Sequence, residues 1–409
     1  MTPAAADDAR RRRLLAVGPA LDQSSYCRVI DSTLRHLPGW EIDQLGVNYR
    51  GELRENGWRI HPNRHNGDRY GIAETIALAQ RIAPDVAFVF NSFLGLPRYW
   101  ELPSRLGPRR PALVAQCPLL GEAVDPRLVG RLAFFDRVAV LSHGVKRHFE
   151  DCLSECVRTG YVERAPQIDV VPHGVDASLF YMRDSETRQH LKRSLFGPEA
   201  SFVVLNANRR EPRKRIDLTL LGFAQFARDK PPGVRLHLHM DDGPEPSLST
   251  LACELGIADR VTIAASEGHP QFTDWQLNDL YNACDVGLNT AAAEGFGMTS
   301  LEHAATGAAQ IVPGHGVCAE LWRDSAEVLA ATPLPDAEVR YTRQSVVAAA
   351  DLAAALQRLY ECGDYRIALA EKGRRNALRP ALQWAEIGRQ WNDIFEHASR
   401  ERRATLVAP

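Results

Sequence analysis

Two series of short apolar segments, separated by helix-length stretches, constrain the fold of this chain most strongly. Short apolar runs bounded by Gly, Pro or Asp are typical of parallel strands that are buried on both faces. The first series predicts strands at 14–17, 86–90, 113–115 and 138–141, with helices such as 72–82 and 144–152 between them. The second series predicts strands at 202–206, 236–239, 261–264, 286–289 and 310–312. This alternation predicts an α/β protein with two Rossmann-like, doubly wound domains.

The length of the chain agrees with two domains, because 409 residues exceed what one compact core usually accommodates. A polar stretch at 183–193 has no strand signal, so we expect domains at 1–180 and 181–380, followed by a C-terminal segment at 381–409. Ligands of open parallel sheets bind outside the carboxyl ends of the strands. The chemistry is therefore expected in a cleft that the two domains face.

Composition excludes several classes of protein. The net charge of -2 gives no reason to expect nucleic acid as a partner. The longest apolar runs fall far short of the roughly 20 residues that cross a bilayer, so we expect no stable membrane insertion and a cytoplasmic location. The eight cysteines lack the dense spacing of a disulfide scaffold. Oligomeric state is left open between monomer and homodimer.

An acidic and glycine-rich segment follows the predicted strand at 286–289. Glu294 and Glu302 stand eight positions apart, with Gly295 and Gly297 directly after the first glutamate. Glycines let backbone approach a ligand closely, and a helix that begins near Met298 would direct its free N–H groups at an anion. The two carboxylates would then reach different hydroxyls of one elongated ligand, as in a nucleotide sugar.

A basic segment follows the predicted strand at 202–206. Arg209 and Lys214 flank a proline turn, at a strand end and near the start of the next helix, from which side chains can clamp a pyrophosphate. Two cations there could stabilise a leaving nucleoside diphosphate, a task that a divalent metal performs in other glycosyltransferases. No Asp-x-Asp triplet occurs in the chain, so we expect no metal and no cofactor beyond the donor. His148, Cys152 and Cys156 recur on one helical face, but three ligands on one rigid helix can hardly close around an ion.

With these elements in order, the sequence resembles glycosyltransferase family four, whose members have the GT-B fold. The resemblance rests on three sequence elements: Glu294 to Glu302, Arg209 to Lys214, and the linker Val171-Pro172-His173-Gly174. The resemblance implies that Arg209 and Lys214 bind the donor phosphates, Glu302 holds the ribose hydroxyls and Glu294 contacts the transferred sugar. It also implies a retaining, metal-independent reaction, an acceptor in the N-terminal domain, and a final helix that crosses back to that domain. The remaining donor-side candidates are Gly295, Phe296, Gly297, Met298, Thr299 and His173.

The sequence departs from the family mainly in its first half. The usual glycine pair after the first strand is replaced by a loop whose candidate acceptor-side residues are Gly18, Asp22, Ser24 and Tyr26. In the second half, Arg215 and Asp241 stand where glycines are usual, which we expect to alter how the donor loop closes.

These observations predict an enzyme that moves a hexose-type sugar from a nucleoside-diphosphate sugar, with UDP favoured, to a hydroxyl of a small polar or natural-product acceptor. A nucleotide-sugar epimerase, a phosphorylase and a catalytically silent sugar-nucleotide-binding module stay open as alternatives. A nicotinamide dehydrogenase is disfavoured, because Gly18 lacks the other glycines of a Gly-x-Gly-x-x-Gly turn.

Overall fold

A computed structural model describes residues 12–407, except 23, 124, 245, 266–271 and 336–340. The chain divides into two compact units. The first comprises Met1–Leu119, Ala123–His173 and Trp384–Pro409, and the second comprises Leu120–Glu122 and Gly174–Gln383.

The first unit is built on a sheet that is parallel except at one edge. The strands from the amino-terminal part of the chain are β1 (Arg12–Gly18), β2 (Trp40–Gly46), β3 (Arg54–Glu55), β4 (Arg59–Pro62), β5 (Val86–Phe90), β6 (Ala112–Gln116), β7 (Glu122–Ala123), β8 (Arg137–Val140) and β9 (Gln167–Val170). Eight of them pair in the order β3-β4-β2-β1-β5-β6-β8-β9, in which only the β3–β4 pair is antiparallel. The order reverses between β1 and β5, as in a doubly wound sheet.

Helices connect these strands. They are α1 (Ser25–Arg35), α2 (Ile72–Ile82), α3 (Leu102–Leu106), α4 (Pro126–Gly130) and α5 (His143–Arg158). The C-terminal helix Trp384–Val407 also packs in the first unit, where Trp391 lies 4.7 Å from the ring of Phe88 and Asn392 accepts a 2.9 Å hydrogen bond from Trp40 Nε1. The last helix of the chain therefore completes the apolar core of the first unit.

The second unit contains a sheet of six parallel strands. The strands of this part are β10 (Phe202–Asn206), β11 (Val234–Asp241), β12 (Val261–Ala265), β13 (Val286–Leu288), β14 (Ala309–Pro313), β15 (Glu327–Leu329), β16 (Ala331–Pro333), β17 (Thr342–Arg343) and β18 (Ser345–Val347). The sheet order is β12-β11-β10-β13-β14-β15, which is the Rossmann order with β10 as the first strand. β16 and β18 form a separate antiparallel pair.

The helices of the second unit cover its sheet. They are α6 (Ser185–Phe196), α7 (Ile216–Ala227), α8 (Leu248–Glu254), α9 (Asp274–Ala283), α10 (Met298–Ala305), α11 (Gly316–Leu321), α12 (Ala349–Glu361) and α13 (Gly363–Ala377). The core forms because β10 and β13 are nearly continuous apolar runs and β11 alternates apolar with polar residues. Leu220, Phe223 and Leu356 of α7 and α12 pack with the apolar residues of these strands.

The prediction of an α/β protein with two Rossmann-like sheets is confirmed. The strand Phe202–Asn206 and the helix Ile72–Ile82 have the predicted bounds. The polar stretch at 183–193 lacks a strand, as expected, and most of it forms α6. In the first sheet, β2 and β4 were not predicted.

Candidate active site

The carboxyl edge of the second sheet carries the predicted acidic and basic segments. β10 pairs with β11 on one side and with β13 on the other. The chain leaves β10 toward α7 and leaves β13 toward α10, and the strand order reverses between these two strands. The segments 207–215 and 289–297 form this edge, which is the usual ligand position in such sheets.

Lys214 and Glu294 form a buried ion pair at this position. Lys214 is the last residue of the 3-10 turn Pro212–Lys214, and its Nζ donates to the Glu294 carboxylate. Each side chain is only 8% exposed. Lys214 Nζ also donates a 2.7 Å hydrogen bond to Asn208 Oδ1. The resemblance assigned these two residues to different parts of the donor, and the structure brings them into direct contact.

Two further hydrogen bonds hold Glu294. Asn289 Nδ2 donates to its Oε2 at 3.1 Å, and the backbone N–H of Gly295 donates to its Oε1 at 3.1 Å. Burial raises the pKa of Glu294, but the charges of Lys214 and Arg213 and the hydrogen bonds from Lys214 and Asn289 outweigh burial and lower that pKa overall. Glu294 is therefore a carboxylate, which can accept hydrogen bonds but cannot act as an acid.

Hydrogen bonds fasten the two loops to each other. Thr290 Oγ1 donates to the carbonyls of Lys214 and Arg215, each at 3.0 Å. Ala292 N donates to Arg213 O at 2.7 Å, and Arg213 Nη1 donates to Ala293 O at 2.9 Å. The position of the ion pair is thus set by the backbone of both loops.

The predicted helix after the glycine-rich loop begins at Met298, as expected. Gly297 precedes it with φ 86°, a left-handed conformation, and no side chain among the described residues caps this helix end. The first N–H groups of α10 are therefore available to an anion. Gly295 and Phe296 are buried in the loop, whereas Met298 and Thr299 are partly exposed.

Glu302 lies about one turn into α10, as predicted. It is 4% exposed and its Oε2 accepts a 3.1 Å hydrogen bond from the hydroxyl of Tyr281 on α9. That hydrogen bond orients the Glu302 carboxylate from the neighbouring helix.

Arg209 differs from Lys214 in its environment. Its side chain is exposed, and it makes no hydrogen bond or ion pair with any residue that the structure describes. Its guanidinium is therefore free to meet an anionic ligand.

The remaining candidates lie in the first unit, at the carboxyl edge of its sheet. Gly18 ends β1, and Ser24 caps α1 by accepting a 3.1 Å hydrogen bond from Cys27 N. Asp22 accepts hydrogen bonds from Ser24 N at 2.7 Å and from Asn48 Nδ2 at 2.8 Å. Tyr26 stacks on Phe90 at 4.9 Å, which places the ring of Tyr26 at the point where the strand order reverses.

His173 is the last residue of the first unit before the chain enters the second. Burial lowers its pKa to about 3, so the ring is neutral. Its Nδ1 lies 3.4 Å from Gln116 Nε2.

Sequence reasoning missed the amides that hold the ion pair. Asn208 follows the predicted strand 202–206, and Asn289 is the last residue of the predicted strand 286–289. These positions were the available signal, because polar residues at strand ends face the ligand side of a parallel sheet. His315 was also missed, and its Nε2 lies 2.7 Å from Ala291 O.

The described residues contain neither a metal-binding cluster nor a membrane-spanning helix. Outside the undescribed gaps, no group of three or more His, Cys, Asp or Glu side chains is arranged to hold a metal ion. Within the same residues, no helix combines the length and apolarity needed to cross a bilayer. Of the residues His148, Cys152 and Cys156, His148 lies with its Nε2 3.8 Å from Cys152 Sγ, and the same nitrogen accepts a 3.0 Å hydrogen bond from Ala123 N.

Solved structures of similar fold cover nearly the whole chain. Sucrose-phosphate synthase from Thermosynechococcus elongatus superposes with a TM-score of 0.71 at 18% identity, covering 95% of this chain and 99% of that one. Anabaena HepE, in complex with UDP and glucose, has a TM-score of 0.68 at 16% identity and covers 94% and 100%. These likenesses confirm the predicted GT-B fold.

Curated relatives match a smaller part of the chain. Mannosylfructose-phosphate synthase of Agrobacterium fabrum is 32% identical over 164 residues, which are 38% of this chain and 34% of that protein. D-inositol 3-phosphate glycosyltransferase of Thermomonospora curvata is 33% identical over 153 residues, 34% of each protein. The chain thus matches about a third of the length of these relatives. Residues 187–376, the part of the chain that carries the Lys214–Glu294 pair, match the family described as glycosyl transferases group 1.

Proposed function

We propose that this protein is a retaining, metal-independent glycosyltransferase that uses a nucleoside-diphosphate sugar, with UDP as the favoured nucleotide. The observation that carries the proposal is the buried Lys214–Glu294 pair at the point where the second sheet reverses its strand order, beside the exposed Arg209. A diphosphate at this edge would meet the Arg209 guanidinium, the Lys214 ammonium and the open N-terminus of α10. These groups supply positive charge where a leaving diphosphate gains negative charge.

In the proposed reaction, the acceptor hydroxyl oxygen bonds to the anomeric carbon of the sugar as the bond from that carbon to the diphosphate oxygen breaks. Both events occur on the same face of the sugar, and the hydroxyl proton passes to the leaving diphosphate. Glu294, as a carboxylate, accepts hydrogen bonds from hydroxyls of the transferred sugar, and Glu302 accepts from the ribose. Gly295, Phe296, Gly297, Met298 and Thr299 supply the surrounding wall and backbone, and His173 flanks the donor.

The names of similar proteins support this choice. HepE was solved with UDP and glucose, and the two curated relatives are a mannosylfructose-phosphate synthase and a D-inositol 3-phosphate glycosyltransferase. For the present chain we propose a small polar acceptor, bound by the first unit near Gly18, Asp22, Ser24 and Tyr26. We further propose domains near 1–180 and 181–380 with a C-terminal helix, a cytoplasmic location, and a monomer or homodimer.

Nucleotide binding is the first test. We expect UDP to raise the unfolding temperature more than GDP or ADP, since a ligand at about 100 times its Kd stabilises by roughly 2.7 kcal/mol. Arg209→Ala should abolish the shift. Arg228→Ala, an exposed arginine at the end of α7, is the matched control and should keep it. A UDP shift that survives in Arg209→Ala would remove Arg209 from the site.

A second test separates the transferase from its alternatives. The transferase should release UDP from a UDP-sugar rapidly only when an acceptor is present. An epimerase would change the sugar without an acceptor, a phosphorylase would require inorganic phosphate, and a silent module would bind UDP without turnover. Any of these three results would replace the proposed activity.

A further inference from the structure

A cavity of about 760 Å³ lies in the first unit, and none of the residues assigned to the donor contributes to it. Its size is within the range of about 300–1,000 Å³ that small-molecule sites occupy. Its lining includes Arg50, Glu52, Asn63, Arg64 and Asn66. Gly51 and Leu53 complete the lining, which therefore contains two arginines against one carboxylate.

The cavity stands where ligands of a doubly wound sheet bind. Arg50 and Glu52 belong to the loop that follows β2, and Asn63, Arg64 and Asn66 follow β4 directly. β4, β2 and β1 are adjacent and parallel, so these loops leave the same carboxyl edge as the loop of Gly18.

Hydrogen bonds join the cavity to the proposed acceptor loop. Asn48 Oδ1 accepts from Ala20 N at 2.8 Å, and Asn48 Nδ2 donates to Asp22 Oδ2 at 2.8 Å. On the other side, Asn63 N donates to Tyr49 O at 2.9 Å. The loops after β1, β2 and β4 thus form one connected surface.

The arginines keep donors available for a ligand. Arg50 Nη1 is held by the carbonyls of Val47 and Tyr49, at 2.9 and 3.2 Å, which fixes the guanidinium without neutralising it. Arg64 makes no side-chain hydrogen bond or ion pair within the described part of the chain.

The nearby acids are already engaged by N–H donors. Asp68 accepts from Tyr70 N at 3.2 Å and from Ala73 N at 2.8 Å, and Asp22 is bound by Ser24 N and Asn48. These hydrogen bonds hold both carboxylates in their own loops, and an anionic oxygen group that enters the cavity would meet two cations and the one lining carboxylate, Glu52.

We propose that the acceptor carries an anionic group, a phosphate or a carboxylate, that binds between Arg50 and Arg64 while a hydroxyl of the same molecule receives the sugar. This inference rests on the proposed function and names the chemical class of its acceptor. Glu52 and Asn66 can then hydrogen-bond hydroxyls of the acceptor.

The test measures binding of matched pairs to the full chain by calorimetry: glucose 6-phosphate against glucose, glucuronate against glucose, and inositol 1-phosphate against inositol. We expect at least one anionic member to bind about tenfold or more tightly than its neutral partner, and Arg50→Gln and Arg64→Gln each to remove about tenfold of that affinity. Tighter binding of the two phosphate compounds would identify the anionic group as a phosphate, and tighter binding of glucuronate would identify it as a carboxylate. Arg81→Gln, an exposed arginine of α2 outside the cavity, is the control and should bind as the wild type does.

Three results would overturn the proposal: no preference for any anionic member, unchanged affinity in Arg64→Gln and Arg50→Gln, or loss of anion binding in Arg209→Ala, which would place the anion in the donor site. UDP binding is measured in the same variants. Failure of UDP to bind the wild type would refute the proposed function, whereas normal UDP binding without anion preference would refute only this inference.

Discussion

At the scale of single residues, the ion pair between Lys214 and Glu294 defines the candidate site. Two charges that are each 8% exposed must be compensated, because removing one partner leaves the other charged in a poorly solvated position. Asn208 and Asn289 satisfy further hydrogen bonds of the pair, which keeps both charges in place before any ligand binds. The site is therefore preorganised at a cost in stability.

We predict that Lys214→Met and Glu294→Gln each lower the free energy of unfolding by about 3–5 kcal/mol, because each leaves one buried group without its partner. The double variant should lose clearly less free energy of unfolding than the two single variants lose together, which corresponds to a coupling energy of about 2 kcal/mol, and it should remain inactive. Urea unfolding of the four proteins measures this energy.

The control for this cycle is the exposed pair Arg389 and Glu386 on the C-terminal helix. Its coupling should be far smaller than that of the buried pair, as for other surface pairs one turn apart. Additive effects of Lys214→Met and Glu294→Gln would show that the buried pair does not act as a unit.

Arg215 shows how the chain accommodates a departure from its family. The residue has φ 49° and ψ 51°, the left-handed conformation for which a glycine is usual, and its guanidinium pairs with Asp217 at 2.7 Å. The backbone before α7 thus keeps the conformation that glycine favours, with an arginine side chain added. The predicted change in loop closure stays a prediction.

Sequence reasoning found the charged residues of the donor site but not their mutual contact. Lys214 and Glu294 are 80 positions apart, and only the pairing of β10 with β13 brings their loops together. Strand order cannot be derived from local apolar runs, so the ion pair was beyond what the local pattern contains.

At the scale of elements, most of the predicted strands have continuous apolar runs, and the exceptions at 236–239 and 261–264 alternate apolar and polar residues. β5 and β10 are buried along their whole length. β2 and β4 were missed because their charged residues interrupt such runs. In the structure these residues satisfy one another: the buried Asp43 accepts from Arg59 at 2.8 Å and lies 2.6 Å from His61 Nε2. Cross-strand partners of this kind become visible only once the register is known.

The start of α10 gives a prediction at this scale. Gly297→Ala should cost about 1 kcal/mol of stability, since φ 86° is unfavourable for a residue with a Cβ. The nearest atoms to such a Cβ lie 3.7 Å or more away, so the cost comes from the backbone and not from a clash. Relief of that strain would shift the N–H groups of α10, and we expect UDP affinity to fall severalfold.

Gly363→Ala is the matched control for this change. Gly363 begins α13 without a positive φ, and nothing lies within 4 Å of the added Cβ. The control should be neutral or stabilising by about 0.5–1 kcal/mol, with UDP affinity unchanged. If thermal unfolding and UDP titration do not distinguish the two variants, the conformation of Gly297 is not what positions α10.

At the scale of the whole molecule, both units bury neutral histidines. Burial lowers the pKa of His173 in the first unit to about 3. In the second unit, burial lowers the pKa of His303 to about 3 and that of His237 to about 4. The unfolded chain therefore takes up protons at these positions before the folded chain does, and the protein should lose stability in acid.

His237 offers the sharpest test of this acid sensitivity, because its ring is 7% exposed and both ring nitrogens lack partners among the described residues. Its folded pKa of about 4 lies below the ordinary 6.5, so its contribution is complete above pH 6.5 and decreases as the pH falls toward 4. Between pH 6.5 and about pH 4, protonation of His237 in the unfolded chain should lower the free energy of unfolding by about 1.4 kcal/mol for each pH unit of acidification. Urea unfolding between neutral pH and about pH 5 should therefore show a smaller decrease in the free energy of unfolding with falling pH for His237→Phe than for the wild type.

The control is His190→Phe, at an exposed position of α6, in which the free energy of unfolding should vary with pH as it does in the wild type. Equal slopes in all three proteins would mean that His237 takes up a proton as readily in the folded chain as in the unfolded one.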